Sequence, residues 1–176
     1  MTAVHSPLAT ALGAVAVTGN PRPDSRTAAI AGHVARRLAV ALAGEDATVV
    51  EFDLADPALS HDAARSLLRG AGLAVIASPT YKATYSGLLK GFLDGLPNDA
   101  LAGIVAVPLM VAGDRGHALA VELHLRPLLA ELGAFTPPRG LFFEERSLLE
   151  PDAVLDPWLE RSLPVLAALV AVAGPR

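Results

Sequence analysis

Residues 13–27 read GAVAVTGNPRPDSRT, and this stretch decides the fold. The segment 13–18 is an almost continuous apolar run, which is typical of a strand buried on both faces of a parallel sheet. Residues 19–24 then break the strand. Ser25 is a good N-cap for a helix that we expect to continue to about Ala43. A buried strand that passes through a short polar loop into a helix predicts an α/β fold.

Strand-like and helix-like segments alternate along the rest of the chain, as in a parallel sheet wrapped by helices. We expect later strands at 48–53, 73–77, 103–110 and within 133–143, where Pro137 and Pro138 interrupt the fifth strand. The later helices are expected at 61–68, 85–93 and 118–132, with a kink at Pro127, followed by a last helix opened by Asp156 and Pro157. This order predicts one domain over residues 1–176. Its architecture is a doubly wound sheet of five parallel strands, in order 2-1-3-4-5, with helices on both faces.

Composition narrows the class of protein. The net charge is −4 and the 14 basic residues are scattered, so nothing resembles the basic footprint of a nucleic-acid-binding protein. Cysteine is absent, which excludes disulfides, iron–sulfur clusters and thiol catalysis. Charged residues make up 18% of the chain, below the roughly 25% that is usual in soluble domains. This shortfall favours a homodimer or homotetramer that hides part of the surface.

Neither end of the sequence predicts a membrane segment. The N-terminus lacks the positively charged region of a signal peptide. The apolar run 163–173 is too short to span a bilayer and contains Pro164. We therefore expect a cytoplasmic protein without a membrane partner.

The loop after the first strand carries groups that bind phosphate. Free backbone N–H groups and the helix dipole favour an anion at the start of a helix. Amide, hydroxyl and guanidinium donors come from Asn20, Arg22, Ser25, Arg26 and Thr27. Neither GxGxxG nor GxxxxGK[ST] occurs here, so a terminal monophosphate such as that of FMN fits better than a dinucleotide or ATP. The simpler interpretation is a helix cap with solvated arginines, but the position directly after a buried strand favours the phosphate site.

The loop after the third strand is suited to a planar ring. Residues 78–94 read SPTYKATYSGLLKGFLD and contain both tyrosines of the protein, Tyr81 and Tyr85, with Lys82 between them. An aromatic ligand could lie against this loop, with backbone N–H groups at its polar edge. The alternative is a helix-capping loop in which Thr84 or Ser86 is the cap and the tyrosines pack. The residues of this loop alone leave both interpretations open.

Together, the two loops resemble the NADPH-dependent FMN reductase family of the flavodoxin-like superfamily. The family's phosphate loop, G-[SN]-P-R-x-x-S-R-T, is matched by residues 19–27. Its second motif, [ST]-P-x-Y-[KR]-x-[ST]-Y-[ST]-G-x-L-K-x-[FL]-L-D, is matched by residues 78–94. The resemblance covers most of the chain, although the part after about Pro138 matches only in general character. It implies a flavodoxin-like fold, FMN, and hydride transfer from NADPH or NADH. Because the flavin makes the bond, no side chain is expected to act as acid or base, and we name no catalytic residue.

The resemblance also implies roles for individual residues. The FMN phosphate would be held by Asn20, Arg22, Ser25, Arg26 and Thr27, and the ribityl chain and ring by Pro79, Thr80, Tyr81 and Lys82. A third loop would approach the ring through Gly113, Asp114 and Arg115. Many relatives have glycine and small hydroxyl residues in that loop, so Asp114 and Arg115 are departures.

The resemblance also implies that two helices contribute to contacts between subunits. In relatives, the helix with Lys90 and Asp94 lies at a dimer or tetramer interface. In relatives that serve sulfonate monooxygenases, an aromatic residue or histidine accompanies a π-type bulge in the helix that corresponds to 118–132. Leu123 or His124 falls nearest to that position here.

Several functions stay open at this point. The main prediction is an FMN reductase that supplies reduced FMN to a partner monooxygenase. An FMN-retaining quinone or azo reductase would share the fold, and a flavodoxin-type electron carrier is disfavoured because carriers are usually strongly acidic. A structural or regulatory protein with a decayed flavin site is disfavoured by the intact loops. No metal site is expected, since Glu144, Glu145 and Asp152 form no recognisable ligand spacing and are interpreted as solvated charges.

Overall fold

The computed structural model describes residues 13–172, and the parts of the predicted single domain at 1–12 and 173–176 lie outside the described residues. Its sheet has five strands: β1 (Ala14–Thr18), β2 (Val49–Asp53), β3 (Leu73–Pro79), β4 (Val105–Ala112) and β5 (Leu141–Glu144). All neighbouring strands are parallel, in the order β2-β1-β3-β4-β5. The predicted α/β class and strand order are therefore confirmed.

Within residues 13–172, four α-helices connect the strands: α1 (Arg26–Ala43), α2 (His61–Arg69), α3 (Gly87–Asp94) and α4 (Arg126–Glu131). A fifth helix, α5 (Asp152–Val172), follows β5. The first three begin at serine caps, because the hydroxyls of Ser25, Ser60 and Ser86 each accept a hydrogen bond from the backbone N–H three residues later. The cap of α3 is thus Ser86 and not Thr84.

The core forms two layers, one on each face of the sheet. Residues of β1, β3 and β4 are completely buried, as their apolar sequences predict for central strands. Successive residues point to opposite faces, so Ala16 and Val75 pack with α1 and α5 while Val17 and Ile76 pack with α2, α3 and α4. Because helices cover both faces of the sheet, a ligand can reach it at the loops that follow the carboxyl ends of the strands.

The fifth strand is interrupted as expected. Phe135 forms an isolated parallel bridge with Val105 at the start of β4. Pairing then stops at Pro137 and Pro138 and resumes at Leu141, because prolines cannot donate to the ladder.

The prediction for the start of the last helix was wrong. Helix α5 begins at Asp152, and Pro157 lies inside it rather than at its first position. The backbone N–H of Leu155 already donates to the carbonyl of Pro151, 3.0 Å away. The Asp152 carboxylate also binds His33, at 2.8 Å, and Arg37 on α1. These tertiary contacts stabilise an additional turn that the local Asp-Pro pair did not indicate.

The segment expected as one long helix is divided. Arg115–His117 form a 3₁₀ turn, Val121–Leu125 form a π-helix, and α4 follows with Pro127 in its first turn. The Arg126 backbone N–H donates to the carbonyl of Val121, five residues back. Because proline cannot donate, the expected irregularity at Pro127 takes the form of a change from π to α hydrogen bonding. Within residues 13–172, no helix is long and apolar enough to cross a membrane.

Candidate functional site

Three loops meet at the carboxyl ends of β1, β3 and β4. The backbone N–H of Gly19 donates to the carbonyl of Ala77 at 2.9 Å, and that of Thr80 donates to Val111 at 2.7 Å. These bonds continue the sheet ladder into the loops at 19–25, 78–86 and 113–117, which we call the first, second and third loops. The structure therefore brings the three predicted ligand loops together at one edge of the sheet.

The first loop is braced by its own polar side chains. Asn20 Nδ2 donates to Thr27 Oγ1 at 3.1 Å, and Asn20 Oδ1 accepts from the Arg22 backbone N–H at 3.1 Å. Asn20 and Thr27 are both buried. The loop also contacts β2, because the Asp53 carboxylate accepts a hydrogen bond from the Asp24 backbone N–H at 3.0 Å. Asn20 and Thr27 thus shape the loop, a role that the sequence did not separate from ligand binding.

The two arginines of the first loop differ in their partners. Arg26 donates to Glu145 at 2.8 Å, from the first position of α1. The Arg22 side chain is exposed and makes no ion pair with any residue in 13–172. Arg22 is therefore free to meet an anion, whereas Arg26 already has an acidic partner.

The three carboxylates that the sequence predicts to be solvated charges are all paired, although Glu145 and Asp152 keep about half of their side chains exposed. Glu145 binds Arg26, Glu144 binds Arg146 at 2.7 Å, and Asp152 binds His33 and Arg37. These partners come from residues distant in sequence or from the local turn, so spacing alone did not indicate them. Across the part of the chain that the structure describes, no group of three His, Cys, Asp or Glu residues is placed to hold a metal.

The second loop begins with a tight hairpin. The backbones of Tyr81 and Thr84 exchange two hydrogen bonds, at 2.8 and 3.1 Å. Between them, Lys82 and Ala83 have φ angles of 50° and 66°, a left-handed turn that glycine or asparagine usually fills. Such conformations cost about 1–3 kcal/mol per residue and persist where the surroundings impose them, often at ligand sites. The hairpin presents Tyr81 with 43% of its surface exposed.

The two tyrosines have different environments. Tyr85 is partly buried and packs against the core layer that includes Leu89 and Phe92. Tyr81 stands exposed on the hairpin beside Lys82, which makes no ion pair within the described residues. The packing interpretation is therefore correct for Tyr85, and Tyr81 remains available to a ligand.

Thr80 carries the observation that points to a ligand. Its hydroxyl oxygen is buried and has no hydrogen-bond partner among residues 13–172. A buried hydroxyl without a partner is unfavourable by about 1–3 kcal/mol. It lies where the second loop pairs with the end of β4, so a polar ligand atom seated between the loops would satisfy it. The ribityl hydroxyls and ring edge of a flavin are groups of this kind.

A serine network, which the sequence did not reveal, joins the first and second loops. The Ser86 hydroxyl donates to the carbonyl of Gly19 and accepts from the Leu89 backbone N–H at 3.1 Å. Ser78 Oγ accepts from the Ser86 backbone N–H at 2.9 Å. The approach is so close that a Cβ on Gly19 would lie 2.8 Å from Leu89 Cα. The position of both serines inside the second motif was the available signal.

The third loop turns sharply and then enters a groove. Asp114 Oδ1 accepts from the Gly116 backbone N–H at 2.5 Å and caps the 3₁₀ turn, which gives this departure from the family pattern a structural reason. Gly113 and Arg115 are exposed. Arg115 lines a groove of about 720 Å³ that follows β5 toward Trp158 and includes no residue of the first two loops.

These features together suit an anionic ligand with a planar ring. The sheet holds side by side the loops that carry four such features. They are a capped helix N-terminus, the exposed side chains of Arg22 and Lys82, and the unpartnered Thr80 hydroxyl. A family model described as NADPH-dependent FMN reductase matches residues 13–147. This chain belongs to the NADPH-dependent FMN reductase family. It is an oxidoreductase that uses FMN and a nicotinamide nucleotide, as the two motifs predict.

Relatives and solved structures agree with this membership. The chain is 33% identical to an FMN reductase (NADPH) of Escherichia coli (strain K12), over 77% of this chain and 75% of the relative. It is 31% identical to the NADH-dependent FMN reductase SfnF of Pseudomonas putida, over 78% and 82%. A solved NADH:FMN oxidoreductase (EmoB, apo form) is similar with a TM-score of 0.71 and 30% identity, covering 91% of this chain and 87% of that one. An archaeal flavodoxin, at 15% identity and a TM-score of 0.56, shares the fold alone.

Proposed function

We propose that this FMN reductase binds FMN across the three loops, reduces it with NADPH or NADH, and releases it to a separate flavin-dependent monooxygenase. Family membership supplies the reaction. The unpartnered Thr80 hydroxyl at the junction of the loops is the observation that supports this location of the flavin. The relatives include both NADPH- and NADH-dependent reductases, so both nucleotides belong in the tests.

The phosphate end is assigned to the first loop. The free N–H groups at the start of α1 and the Ser25 hydroxyl lie where the helix dipole favours an anion, and Arg22 and Arg26 add charge. Asn20 and Thr27 hold the loop in shape through their mutual hydrogen bond.

The ring end is assigned to the second and third loops. Pro79, Thr80, Tyr81 and Lys82 would contact the ribityl chain and one side of the ring, and Gly113, Asp114 and Arg115 would approach from the third loop. When bound, FMN supplies the hydride-accepting ring. The protein's part is to orient that ring, to keep water from it and to offer Lys82 as a charge near it.

We extend the proposal to the organisation of the protein. Residues 1–176 would form a single FMN-binding domain that acts in the cytoplasm as a homodimer or homotetramer. Leu119 and Leu123 lie before and within the π-helix with 60% and 63% of their surfaces exposed. Two such leucines on one segment favour a second copy as the group that covers them.

The first experiment is NADPH and NADH oxidation by the purified protein in air, with and without added FMN. Turnover that depends on free FMN supports the proposal. A yellow protein that oxidises the nucleotide only when a quinone or azo dye is added would contradict it and favour a retained flavin. Binding of FMN without any oxidation would favour an electron carrier.

Two substitutions test the phosphate assignment. Arg22→Ala and Ser25→Ala should each weaken FMN binding by about 1 kcal/mol or more, since each removes a contact to a charged group. Arg69→Ala and Ser60→Ala are the controls, an exposed arginine and a helix cap on α2 that do not belong to the three loops. Fluorescence titration with FMN measures the effect, and unchanged affinity in both test variants would refute the assignment.

A further inference from the structure

The ion pair between Arg26 and Glu145 connects the start of α1, next to the first loop, with the turn that follows the edge strand β5. Arg26 is the first residue of α1, and Glu145 opens the 3₁₀ turn Glu145–Leu149 that follows β5. The Arg26 Nη2 atom lies 2.8 Å from Glu145 Oε2. The side chains are 66% and 50% exposed, so the pair is accessible to solvent and to ligands. An acidic group from another element is thus paired with the first residue of the helix at whose N-terminus we propose that the phosphate binds.

Glu145 has no other charged partner within residues 13–172. The neighbouring Glu144 is paired with Arg146, so Arg146 does not draw Glu145 away from the first loop. The carboxylate of Glu145 therefore binds one edge of Arg26 in the way that a phosphate oxygen would. A ligand phosphate must share Arg26 with Glu145 or displace it, and in either case it approaches a like charge.

We propose that Glu145 is an internal competitor for Arg26 that lowers the affinity of the site for phosphorylated flavin and so favours its release. This inference rests on the proposed function, in which FMN leaves the protein in each cycle. The size of the effect is bounded by the exposure of the pair, because exposed ion pairs are weak. In this proposal, Glu145 is a specificity-determining residue. It acts through Arg26 and lowers the affinity for the phosphate group without affecting the binding of the ring.

The opposite role for Glu145 would be to align Arg26 for the phosphate. Alignment predicts that loss of the carboxylate weakens FMN binding, whereas competition predicts that it strengthens binding. The sign of the change separates the two roles. Riboflavin has the same ring as FMN and no phosphate. If the substitution changed the whole site, riboflavin affinity would change too, whereas both roles of Glu145 predict a change in FMN affinity alone.

The test is a fluorescence titration of Glu145→Gln with FMN and with riboflavin. FMN should bind about two- to five-fold more tightly than it binds the wild-type protein, as expected for release of one exposed ion pair, and riboflavin binding should not change. Glu150→Gln is the matched control, because Glu150 is an exposed carboxylate at the other end of the same turn and pairs with no described residue. It should leave both affinities unchanged.

A double-mutant experiment tests whether the effect of Glu145 on FMN affinity depends on Arg26. In an Arg26→Gln background, Glu145→Gln should no longer strengthen FMN binding. A gain that persists there would mean that the carboxylate acts by its field alone and would overturn the role of Arg26. If Glu145→Gln does not fold, Glu145→Asp withdraws the carboxylate by one methylene and should show the same sign.

The failures of the two proposals are distinguishable. If the wild-type protein binds no FMN, the proposed function fails. If it binds FMN and Glu145→Gln leaves the affinity unchanged, weakens it, or tightens riboflavin equally, the competitor role fails and the proposed function stands.

Discussion

Replacing Ser86 with alanine removes the contact that joins the first and second loops. The buried Ser86 hydroxyl caps α3 through the Leu89 backbone N–H and donates to the carbonyl of Gly19. Loss of an N-cap costs about 1 kcal/mol, and a buried carbonyl left without a donor costs about 1–3 kcal/mol. We therefore expect Ser86→Ala to lower the free energy of unfolding by about 2–4 kcal/mol.

The control for this prediction is Ser60→Ala on α2. Among the described residues, the exposed Ser60 hydroxyl accepts only from the Ala63 backbone N–H, at 3.3 Å, so its loss should cost about 0.5–1 kcal/mol. Urea unfolding of both variants, followed by circular dichroism, measures the difference. Equal losses of stability would show that the bond to Gly19 contributes nothing and would refute this account of how the loops are held.

Two further predictions concern strain and charge. Ala83→Gly should raise the free energy of unfolding by about 0.5–1 kcal/mol, because glycine accepts the φ of 66°. Ala63→Gly, at an exposed position of α2, should instead lower it by about 1 kcal/mol, and urea midpoints that move in the same direction would contradict the strain. The hydrogen bond with His33, aided by the charge of Arg37, holds the pKa of Asp152 below its ordinary value, so this pairing stabilises the protein above about pH 4 and is lost as pH falls through the lowered pKa. Asp152→Asn should therefore flatten the fall of the urea midpoint between about pH 5 and 3, and a fall as steep as in the wild type would count against the pairing.

Most of the architecture was predictable because it depends on local patterns. Apolar runs such as that in β1 indicate a strand covered on both faces, and serine caps such as Ser25 and Ser60 mark where helices begin. The alternation of these elements predicts the parallel sheet and places the ligand loops at its carboxyl edge.

Two helices differ from simple local patterns. The start of α5 was misplaced because Asp152 is stabilised by His33 and Arg37, which lie more than a hundred residues earlier in the chain. The π-helix follows from a hydrogen bond between Arg126 and Val121 that replaces the regular α pattern beside a proline. The start of α5 therefore has no signature in the residues next to it. The π-helix does have one, because it contains Leu123 and His124, where the family resemblance places a π-type bulge, and it ends just before Pro127.

The sequence by itself determined the class of fold, the strand order, the family and the composition of the two ligand loops, since each depends on residue types at fixed spacing. Only the tertiary structure decided which side chains remain available to a ligand. Asn20 and Arg26 find partners in Thr27 and Glu145, while the Thr80 hydroxyl has none. Such pairings depend on the distance between elements that meet only when the sheet has formed.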